Sequence, residues 1–81
     1  MEKVLITVLD KDGRYFNDST VGKTYEGFTL LKGERIPDEF SYYFGQTTRE
    51  DSVNFIDDVG DTVAFWQSQK DVLACVKVEK V

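Results

Sequence analysis

Histidine is absent from this 81-residue chain. Its absence excludes serine–histidine and cysteine–histidine nucleophilic chemistry and histidine-ligated zinc. It also removes the one side chain that titrates near neutrality unaided. Cysteine occurs once, as Cys75, so no internal disulfide can form and a reducing compartment is expected. Basic residues are in deficit, ten against fifteen acids, for a net charge of −5. Nonspecific nucleic-acid binding needs cations that displace phosphate counterions, so direct nucleic-acid contact is not expected. No apolar run approaches the roughly 20 residues that cross a bilayer. The opening Met1-Glu2-Lys3-Val4-Leu5-Ile6-Thr7 has too short an apolar stretch for a signal peptide. The reading is a cytoplasmic protein without membrane segments or cofactors.

What is present is a globular composition: 41% hydrophobic, 31% charged, with one tryptophan, four tyrosines and six phenylalanines to build a core. A second core would leave each half too small to fold unaided, so residues 1–81 are read as a single domain. The β-branched Lys3-Val4-Leu5-Ile6-Thr7-Val8-Leu9 reads as a strand ending at the Asp12-Gly13 turn signal, with Arg14-Tyr15-Phe16 as a return strand. Lys23–Leu31 reads as the next strand, with Gly27 marking a bulge or a sharp bend. Between Ile36 and Glu50 two readings stay open. Pro37 starts a short helix near 37–44 with Phe40, Tyr43 and Phe44 behind it, or the same aromatics lie on a strand ending at Gly45. Gln46–Ser52 reads as a polar loop.

The clearest hairpin pairs Val53–Ile56 with Thr62–Trp66 across Asp57-Asp58-Val59-Gly60-Asp61. Alternation of Val72, Ala74, Val76 and Val78 reads as a closing half-buried strand. The fold class is therefore mainly β: a small barrel or strongly bent antiparallel sheet of five to six strands, with at most one short helix.

Several motifs touch on chemistry. Val21-Gly22-Lys23-Thr24 looks like the tail of a phosphate-binding loop, but that loop needs glycine where Asn17 stands, and a helix where a strand is expected. It reads as a turn entering a strand. Asp10 with Asp12, and Asp57, Asp58 and Asp61, are acid clusters that match no calcium loop; no metal site is expected. Cys75, among apolar neighbours, reads as structural. The consecutive aromatics carry more weight. Tyr42-Tyr43-Phe44 cannot all point inward, and of Phe65-Trp66 one must point out. Exposed tyrosine and tryptophan favour interfaces.

The stretches Thr20-Val21-Gly22-Lys23-Thr24-Tyr25-Glu26 and Asp57-Asp58-Val59-Gly60-Asp61, with Val76-Lys77-Val78, resemble small SH3-like barrels encoded by bacteriophages and mobile elements. In these, a Gly-Lys-x-Tyr turn opens the second strand and an Asp-Asp-x-Gly hairpin follows later. The resemblance does not extend over Ile36–Asp51. It implies an accessory protein that binds and modulates a host protein, with no catalytic residues to carry over. The expected anchors are Phe40, Tyr42, Tyr43, Phe44 and Trp66. The alternatives are a nucleic-acid mimic presenting Asp57, Asp58 and Asp61 to a DNA-binding protein, and a small enzyme relying on carboxylates or Cys75. With so small a core, a homodimer built on the exposed aromatics is a further expectation.

Overall fold

The computed structural model describes residues 1–11, 14–40 and 45–81. Five strands run in chain order: β1 (Glu2–Val8), β2 (Thr24–Leu30), β3 (Ser52–Ile56), β4 (Thr62–Trp66) and β5 (Val76–Lys80). A 3-10 turn occupies Asp38–Phe40, and a one-turn helix, α1 (Lys70–Leu73), precedes β5. The strands form one antiparallel sheet in the order β4-β3-β2-β1-β5. The first four are sequential neighbours, and the fifth returns beside the first. The protein is thus mainly β, as its sequence indicates.

Alternation decides which face is buried. Val4, Ile6 and Val8 of β1, Val53 and Phe55 of β3, and Val63 and Phe65 of β4 point to one side, and all are at most 6% exposed. These join Tyr25 of β2, Val76 of β5, Val72 of α1 and the loop residue Phe16 in a single cluster. Laid flat, five strands would span about 19 Å from edge to edge. Buried residues of all five strands and Phe16 nonetheless belong to one cluster, which a bent sheet brings together.

Three local expectations are corrected. Arg14-Tyr15-Phe16 lies in turns rather than a return strand, and β1 pairs instead with β2, reached through a long loop, and with β5. Phe16 still enters the core from that loop. The closing strand begins only at Val76. Val72 is buried from a helical turn, Ala74 is exposed, and Cys75 sits between helix and strand. Of the two readings of Gly27 only the bulge is excluded: the ladders run without a skip on both its sides, pairing it with Val4 and Phe55. Its lack of a side chain serves close approach instead.

In the central segment a 3-10 turn follows Pro37 at Asp38–Phe40 and a lone bridge joins Arg35 to Thr47, while the remainder of the span expected as helix or strand, residues 41–44, lies outside the described residues. Thr48 and Ser52, assigned above to a polar loop, are buried, and Ser52 already belongs to β3. Among the described residues no helix is long and apolar enough to cross a membrane.

Candidate functional site

Two turn motifs lie far apart in sequence and meet in space. Gly22 adopts φ +87° and turns the chain into β2, which places Lys23 and Tyr25 beside the β3–β4 turn. There Asp58 accepts hydrogen bonds from Thr20 Oγ1 at 2.6 Å, from Tyr25 Oη at 3.0 Å, and from Lys23 Nζ in an ion pair. Tyr25 Oη in turn accepts the Thr20 backbone N–H at 2.8 Å. Lys23, Thr20 and Tyr25 together hold the Asp58 carboxyl down at about 2, and the same Asp58 bond raises Lys23 above its ordinary value.

The sign follows from linkage. A carboxylate whose folded pKa is lowered stabilises the fold above its unfolded pKa near 3.9, and that contribution fades as pH falls through about 2. Asp58→Asn should therefore flatten the loss of stability between about pH 4 and 2 relative to the parent chain. Urea unfolding midpoints at pH 7, 4, 3 and 2.5 for both proteins would show it. Parallel curves would refute a role for Asp58 in acid sensitivity.

The second feature is a groove along β4. Its volume is about 360 Å³, and its walls carry Tyr15, Phe40, Phe65 and Trp66. Its floor is polar, with Thr48, Ser52 and Asn54 all buried. This arrangement follows from alternation on β3: Val53 and Phe55 take the core, so Ser52 and Asn54 face the opposite side, beside Ile36, Phe40, Gln46 and Thr48. Asn54 Nδ2 donates to Ser52 Oγ at 3.1 Å and to the Phe28 carbonyl at 3.4 Å. Phe40 stands edge-on to Phe28, ring centres 5.0 Å apart, which fixes one wall.

The opposite wall is held by Gln69. Its Oε1 accepts the Trp66 backbone N–H at 2.8 Å, and its Nε2 donates to Tyr15 Oη at 2.9 Å. The Tyr15 ring packs edge-on to Phe65, and the Arg14 guanidinium lies 5.0 Å above it. The two aromatic walls are thus placed before any ligand arrives.

Of the expected anchors, Phe40 and Trp66 share this groove, both half-buried. Tyr42, Tyr43 and Phe44 lie outside the described residues. Tyr15 was missed, although it adjoins Phe16 as Trp66 adjoins Phe65, and the same rule of one in and one out applied. Asp57 Oδ1 accepts the backbone N–H groups of Val59 and Asp61 at 3.1 and 2.9 Å, a turn-forming role. The carboxylates of Asp18, Asp57 and Asp61 bring oxygens within 4.8 Å of one another. They offer a cation three oxygens, where calcium takes six to eight. Cys75 Sγ contacts the Asp71 carbonyl at 3.4 Å, while Lys77 and Lys80 pair with Glu79 and Glu2.

No family model matches the chain, and neither a curated protein nor a solved structure shows significant similarity to it.

Proposed function

We propose that the chain is a non-enzymatic protein-binding module whose contact surface is the groove between Tyr15, Phe40 and Trp66. The observation that carries this reading is three aromatics held in fixed positions over a polar floor. Aromatic side chains give large contact area at low conformational cost, and buried hydroxyls and amides supply orientation. Among the described residues the groove's lining includes no carboxylate, amine or thiol. The chemistry on offer is recognition.

The accessory role, modulation of a host protein by a phage or mobile-element product in the cytoplasm, is supported by the turn motifs. Gly22-Lys23-Thr24-Tyr25 and Asp57-Asp58-Val59-Gly60 carry the resemblance to SH3-like barrels, and their Lys23, Tyr25 and Asp58 bond to one another. Mimicry of nucleic acid is the weaker alternative, because Asp58 is already paired with Lys23 and Asp57 serves its own turn.

Affinity capture from bacterial lysate, eluted through a salt gradient, should retain a partner beyond about 0.5 M salt, where surface electrostatics are screened. Trp66→Ala should weaken that partner by about tenfold or more, as expected for an aromatic anchor, with little change in thermal stability. Release at moderate salt of partners that are DNA-binding proteins would favour mimicry. Unchanged affinity in folded Trp66→Ala and Phe40→Ala variants would refute the groove.

A further inference from the structure

We propose that the partner is bound as an added strand. An extended segment pairs with the free edge of β4, sets an apolar side chain in the aromatic groove, and places a lysine or arginine over Asp18, Asp57 and Asp61. This rests on the protein-binding reading above and specifies its ligand.

The backbone supplies the first argument. The bonds Asp57 N–H to Asp61 O and Gln67 N–H to Asp51 O fix the phase of the β3–β4 ladder. In that phase Val63 and Phe65 exchange hydrogen bonds with β3, whereas Thr62, Ala64 and Trp66 direct their N–H and C=O groups away from it. Gln69 takes both groups of Trp66, its side chain accepting the N–H and its own N–H donating to the carbonyl at 3.0 Å. Among the described residues nothing takes up those of Thr62 and Ala64. Among the described residues the edge is thus open at two alternate positions and closed at Trp66.

Composition supplies the second. Edge strands are usually protected by charge. The opposite edge, β5, reads Val-Lys-Val-Glu-Lys, and its Lys77, Glu79 and Lys80 all lie in ion pairs. β4 reads Thr-Val-Ala-Phe-Trp and has no charge at all. One edge is guarded and the other is bare, which is the asymmetry expected where strand addition is used.

Charge supplies the third and identifies the occupant. The aromatic groove shares Tyr15 and Ala64 with a second cavity of about 350 Å³, lined by Asp18, Asp57, Asp61 and Thr62. Three carboxylates whose oxygens lie within 4.8 Å repel one another, against one lining cation, Arg14, which stands over Tyr15. A cationic side chain arriving there relieves that repulsion. The two cavities flank opposite ends of β4. At about 3.3 Å per residue, the apolar and basic side chains of an extended ligand should lie roughly four positions apart.

The test is display selection of a random nonapeptide library on the folded protein, followed by fluorescence polarisation with the enriched peptides. Enriched sequences should pair an apolar residue with Lys or Arg roughly four positions away. N-methylation of the peptide amides facing β4 should lower affinity by about tenfold or more, and this modification leaves the protein untouched. Asp18→Lys combined with Asp61→Lys should cost about as much. Peptides that depend on Trp66 yet show no basic preference and tolerate N-methylation would overturn strand addition and leave the groove reading intact. Peptides indifferent to both Trp66 and N-methylation would overturn both readings. A dimer that Ala64→Pro dissociates would show that a second copy occupies the edge, and would overturn the proposal.

Discussion

Phe16→Ala is expected to leave the chain largely unfolded at 25 °C. Phe16 is fully buried although it belongs to a loop. Its ring stacks on Phe55 at 6.3 Å and meets Phe65 edge-on at 6.0 Å, so it plugs the space enclosed by the bent sheet. Truncating a buried phenylalanine costs about 3–5 kcal/mol. A single core in a chain this short supplies a net stability of about the same size. The two figures leave almost no margin. Far-UV circular dichroism and urea unfolding would check it, with Phe16→Leu as the smaller truncation that should still fold. A cooperative Phe16→Ala transition within about 1 kcal/mol of the parent would show that the sheet closes its core without this ring.

Phe16 also marks where sequence reasoning stopped. The β3–β4 hairpin was legible almost to the residue, because a turn of acids and glycine lies between two short β-branched and aromatic runs. The loop before Phe16 carried an equally good signal, Asp12-Gly13, yet β1 pairs with β2 across that whole loop. Turn propensity is local, and the choice between partners is made by the core. The closing segment failed for a different reason. Val72, Ala74, Val76 and Val78 fit a strand, but a single helical turn at Lys70–Leu73 is too short to impose its own period. Sequence could also single out Lys23 and Asp58, each within a turn motif. It could not say that they bond to each other, since that depends on how the sheet bends. The groove was half legible: Trp66 followed from the crowding of consecutive aromatics and Phe40 from its place in the aromatic central segment, whereas the polar floor of Ser52 and Asn54 follows only from knowing which face of β3 lies against Ile36, Phe40 and Thr48.

Gly27→Ala is expected to cost about 2–3 kcal/mol, toward the upper end for overpacked sites. In an unconstrained strand this exchange would be mildly favourable, since glycine loses more backbone entropy on folding. Here β2 is flanked by both neighbours, and an added Cβ would overlap the Asn54 carbonyl oxygen, with Ile6 Cδ1 at 2.6 Å and Phe55 Cβ at 3.0 Å. Ile6 can change rotamer. The carbonyl of Asn54 cannot withdraw without opening the β2–β3 ladder. Gly60 provides the contrast: its φ of +83° costs alanine about 1–2 kcal/mol of backbone strain, but a Cβ there meets nothing within 4 Å. Stability alone would separate the two variants poorly. Partner affinity should separate them well, because Asn54 forms the groove's floor through its bonds to Ser52 and Phe28. Gly27→Ala should lose affinity as well as stability, whereas Gly60→Ala should lose stability alone. Equal affinities in the two folded variants would mean that the floor absorbs the displaced strand without moving the aromatic walls.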